Sequence, residues 1–340
     1  MKRPAATGYF MNDQNSMAEP VTSVRSTRLG WLDAWRGVAL VAMASYHFTW
    51  DLDHFGYLER GTAGSYSLRI YAHAIAGTFL FLAGASLYLS HGKAIRWTPF
   101  WTRFAKVAGG ALAVTAATLV IMRDEFIYFG ILHNIALASL IGLLFLRAPV
   151  ALTYLVSALL IAAPYFLKSP AFNTPALYWV GLSETVRRSN DYVPLIPWLG
   201  PLLAGIASAK LVVITNRTHW FVAEKAESWG VFRWLSTGGR HSLAFYLLHQ
   251  PILFGVVWCF SQVHPAASPD PAISYTRDCV MACKADRGES FCNAFCGCTL
   301  TALKDQNLFD ALNKGKLDVN NDARVLGISR QCTRSAQGLE

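Results

Sequence analysis

Four ionisable side chains lie within eight positions at the end of the first apolar stretch of the sequence: His47, Asp51, Asp53 and His54. His47, Asp51 and His54 are spaced i, i+4 and i+7, so they share one face of a helix that runs through them. An ionisable group in a membrane helix is costly and usually faces the bundle interior or a wet cavity. A carboxylate four residues from an imidazole can orient the ring and raise its basicity, as a general base requires. The spacing therefore makes His47 with Asp51 the first candidate catalytic pair.

The same polar cluster has two other interpretations. Asp53 and His54 fit the wet end of a helix at a membrane interface, where polar residues are common. His47, Asp51 and His54 also have ligand-like spacing, but a single helix rarely completes a coordination shell, so we predict no metal. His54 is kept as a second candidate base after His47.

Two further histidines fall inside later apolar stretches. His133 and Asn134 lie near the outer end of one of them, at nearly the depth of His47, so a shared catalytic site and a packing role are both open. His249 lies near the middle of the last stretch, two residues before Pro251. Proline leaves a backbone carbonyl without its hydrogen bond in a membrane helix. His249 could satisfy that carbonyl, which is a structural role, or it could belong to a functional site.

Asp33 and Arg36 lie at the opposite end of the first stretch from His47. An arginine at a cytoplasmic helix end is commonly a topology anchor. Its guanidinium fork also suits a phosphate group. The residues alone leave both roles open.

The elements that must position these residues are membrane helices. The chain of 340 residues is 53% hydrophobic and 15% charged, whereas an ordinary soluble domain is about 25% charged. Crossing the hydrocarbon core takes about 20 mostly apolar residues. Candidate stretches lie at 32–52, 69–90, 106–122, 127–146, 149–167, 194–214 and 241–260. The sequence therefore predicts an all-α, polytopic membrane bundle of about seven transmembrane helices.

Lysine and arginine are enriched on one side of these stretches, which indicates a cytoplasmic N-terminus and a C-terminus on the outer side. We interpret the net charge of +9 as this topology signal, and we expect no nucleic-acid partner. The predicted inner segments hold Arg25, Arg28, Arg36, Lys93, Arg96, Arg103, Lys106, Arg147, Arg217, Lys225, Arg233 and Arg240. The predicted outer segments hold Arg60, Arg69, Arg123, Lys168, Arg187 and Arg188.

The chain divides into four predicted parts. Residues 1–29 form a disordered cytoplasmic leader, because they lack the apolar core of a signal peptide. Residues 30–262 form the membrane domain, 263–272 a proline-rich linker, and 273–340 a periplasmic tail. Within the membrane domain, Pro194, Pro197 and Pro201 predict a broken entry to the sixth stretch, which survives only where it is buried in protein or lines a cavity.

Six of the seven cysteines follow the last apolar stretch, which suits an oxidising compartment. Two C-x3-C spacings place each pair on one helix face, and the short DRGES connection allows an antiparallel helical hairpin. A zinc site is the alternative, weakened by the absence of a CxxC pair and of histidine in this region. We predict a small disulfide-rich α-helical module with the pairs Cys283–Cys292, Cys279–Cys296 and Cys298–Cys332, although six cysteines allow many pairings.

Five sequence blocks, in order, resemble multi-spanning membrane acyltransferases. They are RLGWLDAWRGVALVAMASYHFTWDL (28–52), FLFLAGASLYLS (79–90), YFGILHNIALASL (128–140), PLIPWLGPLLAGI (194–206) and GRHSLAFYLLHQPIL (239–253). Together they cover about residues 30–260 and resemble a bacterial branch related to heparan-alpha-glucosaminide N-acetyltransferase.

The resemblance implies transfer of an acetyl or other acyl group from cytosolic acyl-CoA to a sugar, glycan or other small acceptor on the periplasmic side of a bacterial inner membrane. Acetyl-CoA or another acyl-CoA is then the co-substrate, with Arg36, Asp33 and His249 as its expected contacts. In the lysosomal enzyme the catalytic histidine lies in the loop after the first helix. His54 is nearest to that position, but its spacing differs, so His47 is the first choice here. The expected catalytic residues are His47, Asp51, His133, Asn134 and, second, His54.

Two rival functions stay open at this stage. A proton-coupled transporter or flippase would use the same histidine and carboxylate as a proton relay. A non-enzymatic membrane scaffold would use the tail to bind a periplasmic partner. ATP-driven pumping, serine hydrolysis and zincin chemistry have no support, because the sequence contains no phosphate-binding loop, GxSxG or HExxH motif. The sequence leaves homo-oligomerisation open.

Overall fold

The computed structural model of the protein describes residues 30–59, 61–185, 188–217, 230–266, 270–284, 286–319 and 321–338. Within these ranges the chain consists of α-helices, short 3₁₀ turns and irregular segments, with no strand. The predicted all-α fold is therefore confirmed. The predicted leader, 1–29, lies outside the described residues, as do Arg60, Arg187 and Lys225 from the charge distribution.

The part of the described chain that precedes the tail folds into eight α-helices, seven of which match the predicted stretches in order. They are α1 (Gly30–His54), α2 (Tyr66–His91), α3 (Trp97–Ile121), α4 (Ile131–Phe145), α5 (Val150–Phe166), α6 (Leu195–Ile214), α7 (Gly230–Arg240) and α8 (Ser242–Val263).

Four helices in the described ranges are long and apolar enough to cross a membrane, namely α2, α3, α6 and α8. Helices α4 and α5 are apolar but have 15 and 17 residues. Helix α1 has 25 residues but carries Asp33, Arg36 and Asp51 along its length. Each predicted stretch thus contains a helix, and the protein is a helical membrane protein. Crossing by α1, α4 and α5 stays a prediction.

Some helix boundaries differ from the apolar stretches. Helix α3 begins at Trp97 rather than at 106, so Arg103 and Lys106 lie inside it and not in a loop. Hydropathy detects only the apolar part of a helix, whereas backbone hydrogen bonding continues through its charged first turns. Helix α4 begins at Ile131 rather than at 127, after Gly130, and α7 is a separate helix that hydropathy does not indicate.

The centre of the bundle is the contact between α2 and α6, which pack closely through glycine. A Cβ atom on Gly84 would overlap the carbonyl oxygen of Leu202, and one on Gly205 would overlap that of Phe81. Small residues at such crossings let helix backbones approach in lipid, where burial alone drives little association. Buried side chains around this contact form the core: Leu80, Ala83, Leu87, Phe100, Ile131, Ala138, Leu146, Val193, Leu199, Leu202, Leu203 and Ile206.

Helix α1 is held between α7 and α8. A Cβ on Gly37 would overlap the Leu235 carbonyl, and one on Gly239 would overlap the carbonyl of Asp33, so α7 lies directly against the first half of α1. The second half of α1 contacts α8, where Tyr46 and Tyr246 pack beside the buried Leu40 and Met43. This arrangement brings His47 and Asp51 against α8.

The entry to α6 is irregular, as its prolines predict. Ile196 has φ −104° and ψ 125°, which is not helical, so the first residues of α6 are kinked away from its axis. The preceding segment, residues 167–194, contains two short 3₁₀ turns, Pro170–Phe172 and Pro175–Val180. The broken entry that the prolines predict is therefore confirmed.

The tail has its own core and its own crosslinks. It consists of α9 (Pro271–Cys283), α10 (Glu289–Asp305), α11 (Phe309–Asn313) and α12 (Ala323–Ala336). Leu303, Ile328 and Cys332 are buried in its centre. The predicted hairpin of two helices is present, although α9 begins inside the predicted linker, at Pro271. The disulfide pairs are those predicted from the spacing: Cys279–Cys296, Cys283–Cys292 and Cys298–Cys332.

Candidate active site

Two histidines from different helices meet at the contact between α1 and α8. The ring centroids of His47 and His249 are 4.9 Å apart, with the rings edge to face. His249 is buried, and His47 is half-buried. The sequence placed His47 in the catalytic set and His249 with the co-substrate contacts, so the structure joins residues that were assigned to different sites.

Asp51 pairs with α8 and not with His47. Its Oδ1 atom accepts a hydrogen bond of 2.9 Å from Nε2 of Gln250, and the carboxylate is fully buried. The expected orienting bond from Asp51 to His47 is not formed, because the carboxylate turns toward the neighbouring helix. Asp51 and His47 nevertheless lie one turn apart on the α1 face that contacts α8.

His249 has a defined tautomer when its ring is neutral. Its Nδ1 atom lies 2.7 Å from the carbonyl oxygen of Tyr246. A carbonyl oxygen only accepts, so Nδ1 carries the proton and Nε2 carries the lone pair. The Nε2 atom is buried and has no hydrogen-bond partner within the described chain.

Three buried polar atoms of this contact lack partners within the described residues: Oδ2 of Asp51, Oε1 of Gln250 and Nε2 of His249. All three are acceptors, because Gln250 already uses its amide N–H toward Asp51 and His249 uses Nδ1–H toward Tyr246. Leaving a buried polar group unsatisfied costs about 1–3 kcal/mol, and more for a charged one. Such a cluster is complementary to a group rich in hydrogen-bond donors.

The other polar residues at this end of α1 have structural surroundings. Asp53 accepts hydrogen bonds from the backbone N–H groups of Gly61 and Ala63, and so fixes the turn after α1. His54 is exposed and stacks on Trp50 with ring centroids 5.1 Å apart. These positions agree with the interpretation of Asp53 and His54 as a helix end, and they leave His54 a weaker candidate than His47.

His133 has both ring nitrogens engaged. The backbone N–H of Gly130 donates to Nδ1 at 3.2 Å, so in the neutral ring the proton is on Nε2. Nε2 then donates to the hydroxyl of Thr115 at 3.2 Å, and that hydroxyl donates to the Ile127 carbonyl at 2.7 Å. His133 thereby caps the start of α4 and ties it to α3.

Asn134 ties α4 to the irregular entry of α6. It is fully buried, and its amide donates to the carbonyl oxygens of Val193 and Pro194 at 3.2 and 2.8 Å. Its Oδ1 atom has no partner within the described residues. In this geometry His133 and Asn134 tie α4 to α3 and to the entry of α6.

Asp191, which the sequence analysis did not single out, joins the same region. One of its oxygens, Oδ2, accepts from the backbone N–H of Ile131 at 3.0 Å and from the hydroxyl of Tyr246 at 3.2 Å. Burial raises the pKa of Asp191 above its ordinary value, and the bond from Ile131 opposes that rise. The only sequence signal is an acid in a loop, which is too common to identify it.

Arginines gather at the opposite end of α1. Arg36 pairs with Asp33 at 2.8 Å and also donates to the hydroxyl of Ser86 on α2. Arg240 is the last residue of α7, and its Nε atom lies 3.9 Å from a carboxylate oxygen of Asp33. Arg103 on α3 is close enough to interact electrostatically with Arg36. We call Arg36, Arg103 and Arg240 the basic cluster.

The basic cluster and the histidine pair are separate sites on one helix. Arg36 and His47 are eleven positions apart in α1, about 16 Å at the rise of an α-helix. His249 therefore lies far from Arg36 and Asp33, the residues with which the sequence analysis grouped it. Within the described residues, no group of three His, Cys, Asp or Glu side chains is placed to hold a metal ion.

A bundle of apolar helices that encloses a polar His–Asp–Gln contact defines a polytopic membrane protein with a buried polar site. The sequence matches the family described as heparan-alpha-glucosaminide N-acetyltransferase, catalytic, over residues 28–251. The chain belongs to this family, and the match includes every residue of the site. No curated protein matches the chain. No solved structure matches it.

Proposed function

We propose that the protein is a membrane acetyltransferase that moves an acetyl group from acetyl-CoA to a primary amine, such as that of an amino sugar. The acyl donor binds at the basic cluster on the cytoplasmic side. The acceptor binds at the contact of α1 with α8, on the periplasmic side of a bacterial inner membrane. Family membership supports the reaction class, and the tail disulfides support an oxidising environment for the C-terminal side.

The observation that carries the acceptor assignment is the set of three acceptor atoms, on Asp51, Gln250 and His249, that have no partner among the residues that the structure describes. A protonated amine has three N–H donors and a positive charge, which complements two oxygens, an imidazole lone pair and a buried carboxylate. A hydroxyl has a single donor and would leave two of these atoms unsatisfied. The geometry therefore favours an amine over a hydroxyl acceptor.

The basic cluster fits the phosphates of a CoA thioester. Guanidinium groups bind phosphate in a bidentate manner, and α1, α3 and α7 each contribute one arginine. Asp33 holds Arg36 and lies close to Arg240, so the fork of Arg36 is oriented before a phosphate arrives. The thioester then has to reach along α1 toward His47, a distance that the pantetheine arm would span.

In the proposed reaction the bound ammonium first gives one proton to Nε2 of His249, which frees the nitrogen lone pair. His47 then removes a second proton from the nitrogen as it attacks the thioester carbonyl. The C–N bond forms, the C–S bond breaks, and the leaving sulfur takes up a proton to give free CoA. His47 is half-buried on the face that contacts His249, so it is accessible to an acceptor held there. The alternative is a two-step transfer. A nitrogen of His47 attacks the thioester carbonyl and the C–S bond breaks to release CoA; the amine then attacks the acyl-His47, and the new C–N bond forms as the bond to His47 breaks.

The test is acetyl transfer by the purified protein in lipid nanodiscs, with labelled acetyl-CoA and a glucosamine-containing disaccharide. We expect labelled product and stoichiometric CoA release. His47→Ala should lower the rate by about 10²-fold or more, as loss of a general base does. His264→Ala is the matched control, because His264 is an exposed histidine at the end of α8, outside the family match.

Four outcomes would redirect or refine the assignment. A wild-type rate in His47→Ala contradicts the role of His47, and an equal loss in His54→Ala would move the role to His54. Proton-driven uptake of substrate without CoA release would replace the transferase with a transporter. Labelled protein formed without acceptor, and absent in His47→Ala, would establish the acyl-His47 order.

A further inference from the structure

A second pair of residues, Asp191 and Tyr246, is connected to the histidine pair through α8. Asp191 accepts from the first turn of α4 and from the hydroxyl of Tyr246 on α8 through the same oxygen, Oδ2. A carboxylate at a helix N-terminus is favoured by the helix dipole and by the free N–H groups there. Asp191 is thus anchored to α4, and its bond to Tyr246 fixes α8 against that anchor.

Tyr246 is also the residue that holds His249. The Tyr246 carbonyl accepts from Nδ1 of His249, three residues further along α8. Residues three apart share a helix face, so the Tyr246 hydroxyl and the His249 ring lie on the same side of α8. A rotation of α8 that broke the bond to Asp191 would also turn the His249 ring away from His47.

We propose that Asp191 and Tyr246 are positioning residues for His249. They hold its ring against His47 with Nδ1–H committed to a carbonyl and the Nε2 lone pair available to the acceptor. This inference rests on the proposed transfer site at α1 and α8. It adds a function for a loop carboxylate and a tyrosine that are outside the expected catalytic set.

The first variant is Tyr246→Phe, which removes only the hydroxyl. We expect kcat for acetyl transfer to fall by about tenfold, the rate equivalent of one buried hydrogen bond. KM for acetyl-CoA should not change, because the basic cluster is at the other end of α1. Tyr192→Phe is the matched control, because Tyr192 follows Asp191 in the chain and its hydroxyl donates to the Tyr178 carbonyl at 2.7 Å. This variant also removes one tyrosine hydrogen bond but leaves the bond between Asp191 and Tyr246 in place. It should keep the wild-type kcat.

Asp191 is tested by two substitutions. Asp191→Ala removes both acceptor bonds and should lower kcat at least as much as Tyr246→Phe. Asp191→Asn keeps an acceptor oxygen for Ile131 and Tyr246, so it should restore most of the rate. An Asp191→Asn variant as slow as Asp191→Ala would overturn the positioning role and assign the effect to the charge.

A double-variant cycle with His249→Gln separates positioning from general damage to the fold. If Tyr246 acts through His249, Tyr246→Phe should cost little further rate once His249 is replaced. Equal losses in both backgrounds, or equal rates for Tyr246→Phe and Tyr192→Phe, would overturn this inference and leave the proposed function standing. A wild-type protein that transfers no acetyl group would remove the proposed function, and this inference with it.

Discussion

At the residue scale, a substitution of the buried Asp51 carboxylate tests whether the proposed acceptor site is separate from the proposed donor site. Asp51→Asn keeps an oxygen that accepts from Gln250, so the variant should fold, but it removes the buried negative charge. An ammonium group loses its charged partner, and we expect KM for the amine acceptor to rise by about tenfold or more. KM for acetyl-CoA should stay unchanged. Steady-state kinetics with each substrate varied in turn measures both values.

The control for this prediction is Asp53→Asn, a carboxylate two residues further along that bonds only to the loop backbone. It should leave KM for the amine unchanged. An unchanged KM in Asp51→Asn, or a similar rise in both variants, would show that the buried acceptor atoms do not bind the amine.

Part of the site can be predicted from the sequence at this scale. The i, i+4 spacing correctly places His47 and Asp51 on one helix face, because helical periodicity is local. The partner of Asp51 is 199 positions away, so spacing cannot identify Gln250. The sequence therefore gives Asp51 the wrong hydrogen-bond partner, and it misses Asp191, whose contacts come from α4 and α8. A glutamine next to a histidine in an apolar stretch is the one available signal, because a buried amide needs a partner.

At the element scale, the close crossing of α2 and α6 depends on two glycines that face each other's backbones. Gly84→Ala or Gly205→Ala would force a methyl group into a carbonyl oxygen. Overpacking costs about 1–3 kcal/mol in an ordinary core, and backbone cannot move aside as a flexible side chain does. We expect a clear fall in the thermal midpoint of the detergent-solubilised protein.

Gly109→Ala on α3 is the matched control, because no atom lies within 4 Å of the added methyl group. That variant should melt at or slightly above the wild-type temperature, since alanine has the better helix propensity. If all three variants melted together, the glycine contacts would not determine the packing of α2 on α6.

The elements themselves were largely predictable, because an apolar stretch in a membrane has few alternatives to a helix. Which helices pack against one another was not predictable. Small residues are spread over several stretches, and sequence does not tell which glycines meet a neighbouring backbone. Gly84 and Gly205 meet one, whereas Gly109 does not. Helix α7 was missed because a short amphipathic helix carries no hydropathy signal.

At the scale of the whole molecule, the membrane helices and the tail are stabilised in different ways. The bundle buries apolar helices around α2 and α6, and lipid covers much of the rest. The tail is a small unit with a modest core around Leu303 and Ile328, so it depends on crosslinks, as small secreted domains do. The pairs Cys279–Cys296 and Cys283–Cys292 were predictable because the two helices of an antiparallel hairpin bring those sulfurs together, and Cys298–Cys332 joins the two cysteines that remain.

The disulfides of the tail should differ in their contribution to stability according to the chain that each one closes. Cys298–Cys332 joins residues 34 positions apart and links α10 to α12, whereas Cys283–Cys292 spans 9 positions within the hairpin. By loop-closure entropy the first contributes about 4 kcal/mol and the second about 3 kcal/mol. The double variant Cys298→Ser with Cys332→Ser should therefore lower the denaturant midpoint of α12 more than Cys283→Ser with Cys292→Ser does.

Hydrogen exchange of α12 amides in the full chain, titrated with urea, measures this difference. Equal midpoints would show that α12 is held by its buried side chains alone.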